Sequence, residues 1–132
     1  MVTGNVVPAD RVVWYRFRAV DSPDTSCDAY HARVWMMANP DSAFELTVFK
    51  GSCDTLGCED SGYEDFEDYT DFTMDVAGVR TGECPCVVAT SATPTDTHCT
   101  DSSTEYFVRV RRRPGTTLSC ASYTLEISNG VY

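Results

Sequence analysis

The chain has 132 residues, with 20 Asp+Glu against 10 Lys+Arg, a formal net charge of −10, 42% hydrophobic residues and 7 cysteines. That length suits one domain with a core of its own, which excludes a multidomain enzyme, and the composition excludes a disordered tail. So negative a charge opposes nucleic-acid binding, which needs cations to displace the counterions around phosphate, and no apolar stretch approaches the ~20 residues of a membrane-spanning helix.

The opening Met1-Val2-Thr3-Gly4-Asn5 lacks the charged start of an export signal. The cysteines nevertheless point to an oxidising compartment. Residues 1–132 are therefore expected to be a single domain from a longer exported protein, secreted or held at the cell surface.

Period-two alternation then recurs along the chain, as half-buried strands require. Val13, Tyr15 and Phe17 share one face of a first strand, and Trp14, Arg16 and Arg18 the other. Tyr30, Ala32, Val34 and Met36 alternate with His31, Arg33, Trp35 and Met37, and Phe44, Leu46 and Val48 with Glu45, Thr47 and Phe49. Tyr106, Val108 and Val110 oppose Phe107, Arg109 and Arg111; Tyr123, Leu125 and Ile127 oppose Thr124, Glu126 and Ser128. Thr70–Val76 and Cys86–Thr90 are weaker candidates. Asn39-Pro40-Asp41, Lys50-Gly51-Ser52, Arg113-Pro114-Gly115 and Asn129-Gly130 punctuate the strands. Residues 54–69 and 90–103 read as long loops. No segment carries a capped helical period. The pattern predicts an all-β fold of about seven to eight strands in two antiparallel sheets packed face to face, with an open barrel as the alternative.

Four anchors carry a family resemblance: Trp14-Tyr15-Arg16-Phe17-Arg18, Phe44-Glu45-Leu46-Thr47-Val48-Phe49, Tyr106-Phe107-Val108-Arg109-Val110 and Tyr123-Thr124-Leu125-Glu126-Ile127-Ser128. In order and spacing the chain resembles the bacterial pre-peptidase C-terminal domain, particularly cysteine-rich versions attached to large secreted proteins. The resemblance implies a jelly-roll-like β-sandwich, non-catalytic and appended to exported proteases and surface proteins. Some members bind polymers such as collagen or chitin, and some bind calcium. The cysteine content and the acidic 54–69 segment depart from the common pattern.

The cysteines stand at 27, 53, 58, 84, 86, 99 and 120. Cys53 and Cys58 bracket a turn that a local bridge would close, and Cys86 with Cys99 would clamp the polar loop between them. If the first and last strands pair, Cys27 and Cys120 meet at one end of the sheet. That bridge closes a loop of about 90 residues and would stabilise by roughly 4–5 kcal/mol. Cys84 is left unpaired, and it could exchange roles with Cys86 across Pro85. Zinc held by Cys84, Cys86, His98 and Cys99 is the alternative, though both spacings are tighter than usual knuckles.

Nine carboxylates crowd the stretch from Asp54 to Asp75, with no Lys or Arg between Lys50 and Arg80. A solvated, repelling loop is one reading. Calcium is the other: Asp60, Glu64, Asp65, Glu67, Asp68 and Asp71 would supply its oxygens if the loop folded back. Tyr63, Phe66, Tyr69 and Phe72 recur every three residues there, as a short helical turn over 63–72 would place them.

Nine of the ten basic residues are Arg, and Lys50 is the only lysine. Trp14, Arg16, Arg18, Arg109 and Arg111 are expected on outward faces, beside Thr124 and Glu126 of the last strand, with Arg33 and Trp35 extending the patch. Cross-strand Arg–Glu pairing accounts for them structurally. Recognition accounts for them too, since exposed Trp and Arg stack on sugars and Arg pairs with carboxylates. Arg111-Arg112-Arg113 at a hairpin tip would offer a dock for a polyanion or for the acidic segment of a second copy.

Catalysis is not expected. Gly-x-Ser-x-Gly, His-Glu-x-x-His, Ser-x-x-Lys and glycine-rich phosphate loops are absent. Carboxylate pairs around 59–71 are compatible with glycoside hydrolysis, but too solvated to hold one acid protonated. The sequence therefore predicts a non-catalytic accessory module of a secreted or cell-surface protein, acting in adhesion, substrate targeting or spacing. The alternatives are a calcium-, polysaccharide- or matrix-protein-binding module and a self-assembling structural protein.

Overall fold

The computed structural model describes residues 1–6, 10–21, 31–55, 62–69, 103–117 and 120–129. Their strands are β1 (Val2–Gly4), β2 (Val12–Ala19), β3 (His31–Ala38), β4 (Phe44–Lys50), β5 (Asp65–Tyr69), β6 (Thr104–Arg112) and β7 (Tyr123–Asn129). They form two antiparallel sheets, one ordered β1-β7-β3-β5 and the other β2-β6-β4. The only helical element among the described residues is a 3-10 turn over Pro40–Ser42. The described residues form an all-β fold. The weaker candidates 70–76 and 86–90 lie outside the described residues.

Alternation sets which side chains go inward. Val34 and Met36 of β3, Phe66 of β5, and Tyr123 and Leu125 of β7 join Phe44, Leu46 and Val48 of β4 and Tyr106, Val108 and Val110 of β6 in one hydrophobic core. Val13, Tyr15 and Phe17 of β2 pack against it. Ring contacts link the sheets: Phe44 meets Tyr123 edge-on at 5.0 Å, and Phe66 meets Tyr106 at 6.2 Å.

Each described strand lies in the opposite sheet from the one before it. Two expectations fail for this reason. Arg113-Pro114-Gly115 is not a hairpin tip, because β6 and β7 belong to different sheets. Nor do the first and last predicted strands pair: β2 pairs with β6, and β7 with β1 and β3. Ala32 sits opposite Asn129, so the chain enters β3 at the end of β7 remote from Cys120. The premise for joining Cys27 to Cys120 is gone. Cys53 and Cys120 are exposed free thiols, and no described disulfide supports a bridged domain. Cys27, Cys58, Cys84, Cys86 and Cys99, and with them the Cys86–Cys99 pairing and the zinc set, lie outside the described residues.

Over residues 62–69 the acidic segment is neither a loop nor a helical turn. The segment runs extended from one sheet to the other. Tyr63 bridges Leu46 of β4, with Leu46 N–H donating to the Tyr63 carbonyl at 2.8 Å. Met36 N–H then donates to the Glu64 carbonyl at 2.8 Å, and residues 65–69 pair with β3. A strand won because β3 and β4 each offer an edge, and backbone groups near a core must be paired.

The edge strand β1 depends on a glycine. Gly4 sits opposite Tyr123, and a Cβ there would lie 2.6 Å from the Tyr123 hydroxyl oxygen and 3.0 Å from that of Tyr15. Tyr123 is fully buried and cannot swing aside. Gly4→Ala is expected to destabilise the protein by roughly 1–2 kcal/mol, read as a lower urea midpoint.

The hydroxyls of Tyr15 and Tyr123 hydrogen-bond at 2.8 Å. Burial, and then this bond, push the Tyr123 pKa well above the usual tyrosine value. Folded protein thus keeps a proton that the unfolded chain sheds near pH ~10, so stability falls as pH rises past that point. Tyr123→Phe should flatten this decline. Urea titrations between about pH 9 and 11 check it; equal slopes for parent and variant would count against it.

Candidate binding surface

The outer face of the three-stranded sheet is built by register. Trp14 of β2 lies opposite Arg109 of β6, itself opposite Thr47 of β4. The next row is Arg16, Phe107 and Phe49, flanked by Arg18 with Glu105 on one side and Val12, Arg111 and Glu45 on the other. Trp14 is 44% exposed, yet its ring rests 5.2 Å from Phe49. The Arg109 guanidinium lies 5.9 Å from the Trp14 ring centre and 5.4 Å from that of Phe49, and donates to Thr47 Oγ1 at 3.3 Å. The indole is thereby propped while part of it stays in solvent, whereas Thr47 and Phe49 on the same face of β4 are buried, so the exposed part of this face lies on β2.

The cations on this face differ in freedom. The Arg16 side chain is 68% exposed and reaches Glu105 only at 3.9 Å, a contact worth ~0–1 kcal/mol. Arg18 is exposed with no ion pair among the described residues. Arg111 is held by Glu45, which also takes Arg113 at 3.6 Å. Arg112 points inward over the Phe44 ring and donates to the Thr117 carbonyl at 3.1 Å and the Val6 carbonyl at 3.4 Å. The triple arginine is therefore structural mortar rather than a free polyanion dock.

Trp35 and Arg33 do not extend this patch. They face outward on the other sheet, where Arg33 grips Asp65 through two bonds of 3.1 and 2.7 Å and lies 4.4 Å over the Trp35 ring. Thr124 and Glu126 stand on that sheet too. Sequence alternation told outward from inward; it did not tell which sheet.

The calcium carboxylates fare similarly. Glu64 pairs with Arg113 at 3.4 Å, Asp65 with Arg33, and Asp68 with Lys50 at 2.7 Å. Asp65 and Asp68 leave opposite faces of β5, so these three do not converge, and no group of metal-ligating side chains occurs among the described residues. Asp60 and Asp71 lie outside those residues, as does the Glu67 side chain.

Sequence reasoning missed two positions. Glu45, expected outside, is 6% exposed, because Arg111, Arg113 and Gly62 close over it. Lys50 continues the inward alternation of Phe44, Leu46 and Val48, and that period was the available signal. Its ammonium reaches Asp68, which also accepts the Tyr106 hydroxyl at 2.7 Å.

Two shallow clefts flank the 113–117 connection. One, of about 390 Å³, is lined by Asp10, Arg11, Val12, Arg111, Arg113 and Thr116 among others. The other, of about 440 Å³, lies against Asp41 and Thr117. No protein-family model, curated protein or solved structure matches the chain.

Proposed function

We propose that this chain is a non-catalytic accessory module of a secreted or cell-surface protein, which holds an extracellular polymer against the outer face of β2. The carrying observation is Trp14: a large apolar ring left 44% exposed while Phe49 and Arg109 fix its orientation. A rigid, half-exposed aromatic on the exposed side of β2 suits stacking against a repeating ligand better than enclosing a small solute, which needs a concave pocket. The two antiparallel sheets around one core also support reading the fold as the jelly-roll-like β-sandwich of pre-peptidase C-terminal domains.

Affinity electrophoresis through gels containing chitosan, collagen peptide, cellulose derivatives or acidic polysaccharides tests this function. Retardation by at least one polymer is expected, lost in Trp14→Ala and kept in Trp35→Phe. Retardation indifferent to Trp14→Ala would place the ligand elsewhere.

A further inference from the structure

The uneven use of arginines identifies the ligand class. Among the described residues on the outer face of β2, β6 and β4, Arg16, Arg18, Arg109 and Arg111 outnumber the carboxylates Glu45 and Glu105, although the whole chain carries −10. Fixed charges beyond ~8 Å are screened at physiological ionic strength, so the described side chains here present a locally cationic surface. Arg33 on the other sheet is already claimed by Asp65. Arg16 and Arg18 are the exposed ones. With Trp14 they line one face of β2 at alternate positions, about 7 Å apart. Beyond Val12 lies the cleft lined by Asp10, Arg11, Arg111 and Arg113.

We propose that this face is a track for an anionic polysaccharide. This inference rests on the polymer-binding reading above. Trp14 stacks on the C–H face of a sugar ring, while Arg16 and Arg18 pair with carboxylate or sulfate groups on neighbouring sugars. A guanidinium fork matches both oxyanions. Nucleic acid fits less well: double-stranded DNA carries a charge every ~1.7 Å of axis and calls for more cations than this face presents.

The test is affinity electrophoresis of the full chain with polygalacturonate, dextran sulfate and neutral hydroxyethylcellulose, beside titrations with oligo-dT and polyglutamate. Retardation by polygalacturonate or dextran sulfate is expected, the two arms telling carboxylate from sulfate. Affinity should fall at least tenfold in the Arg16→Ala/Arg18→Ala double variant and be lost in Trp14→Ala. Both arginines are exposed, so the double variant should melt with the parent. Equal retardation by hydroxyethylcellulose, insensitive to the arginines, would overturn the anionic assignment and leave polymer binding standing. No retardation by these polymers or by those of the function screen would overturn both. Binding of oligo-dT or polyglutamate as tight as that of the saccharides would show a general polyanion surface and overturn the sugar assignment.

Discussion

Phe66→Ala is expected to cost about 3–5 kcal/mol, the range for truncating a fully buried aromatic, and to lower Tm by roughly 10 °C or more. Phe66 sits between Asp65 and Glu67 in the most acidic part of the chain, yet is 1% exposed. It lies opposite Val34 in register and edge-on to Tyr106 across the core. Removing its ring would open a cavity between the two sheets, because backbone pairing on β3 holds β5 in place. Asp54→Asn, at an exposed position in the turn after β4, should change stability by no more than ~0.5 kcal/mol. Thermal melts of both variants are the check. If Phe66→Ala melted with the parent, the acidic segment would be the solvated loop that its composition implies.

The second large effect concerns Lys50, Asp68 and Tyr106, a polar clamp between the sheets. Asp68 has 16% of its side chain exposed and accepts from both the Lys50 ammonium and the Tyr106 hydroxyl at 2.7 Å. Lys50 keeps 37% exposure, so solvent screens the ion pair and its own contribution is modest. Deleting Asp68 does more harm than that contribution implies, because a buried phenol and a half-desolvated ammonium lose their shared acceptor. Asp68→Ala should cost about 2–3 kcal/mol. Lys50→Met/Asp68→Leu, which removes both charges, should recover part of that loss. A double-mutant cycle by urea denaturation reads the coupling, expected at about 1 kcal/mol or more. Strictly additive single changes would show that the two side chains do not act together.

Both predictions fall in the segment the sequence misrepresented, for a definable reason. Nine carboxylates in a stretch without Lys or Arg look like a solvated loop, because local charge is all that composition reports. The partners of three of them, Arg33, Lys50 and Arg113, come from three other parts of the chain. Once paired, Glu64 and Asp68 fasten one sheet to the other, and Asp65 ties β5 to β3 within its own sheet. The aromatic spacing of Tyr63, Phe66 and Tyr69 imitated a helical period. Free edges on β3 and β4 made an extended path the better way to satisfy the backbone.

Where alternation was clean, the sequence determined much by itself. It contained β2, β3, β4, β6 and β7, the inward set from Val13 to Ile127, and the exposure of Trp14, Arg16 and Arg18, because a two-residue repeat commits each side chain to one face of a strand. That repeat is silent on which strand lies beside which. Only the tertiary structure decided that β2 joins β6 and β4 while β3 joins β7. The expected arginine-aromatic surface was thereby divided between two sheets. On one, Asp65 occupies Arg33; on the other, Trp14, Arg16 and Arg18 stay exposed. Strand order depends on contacts between residues far apart in the chain, and no local pattern encodes it.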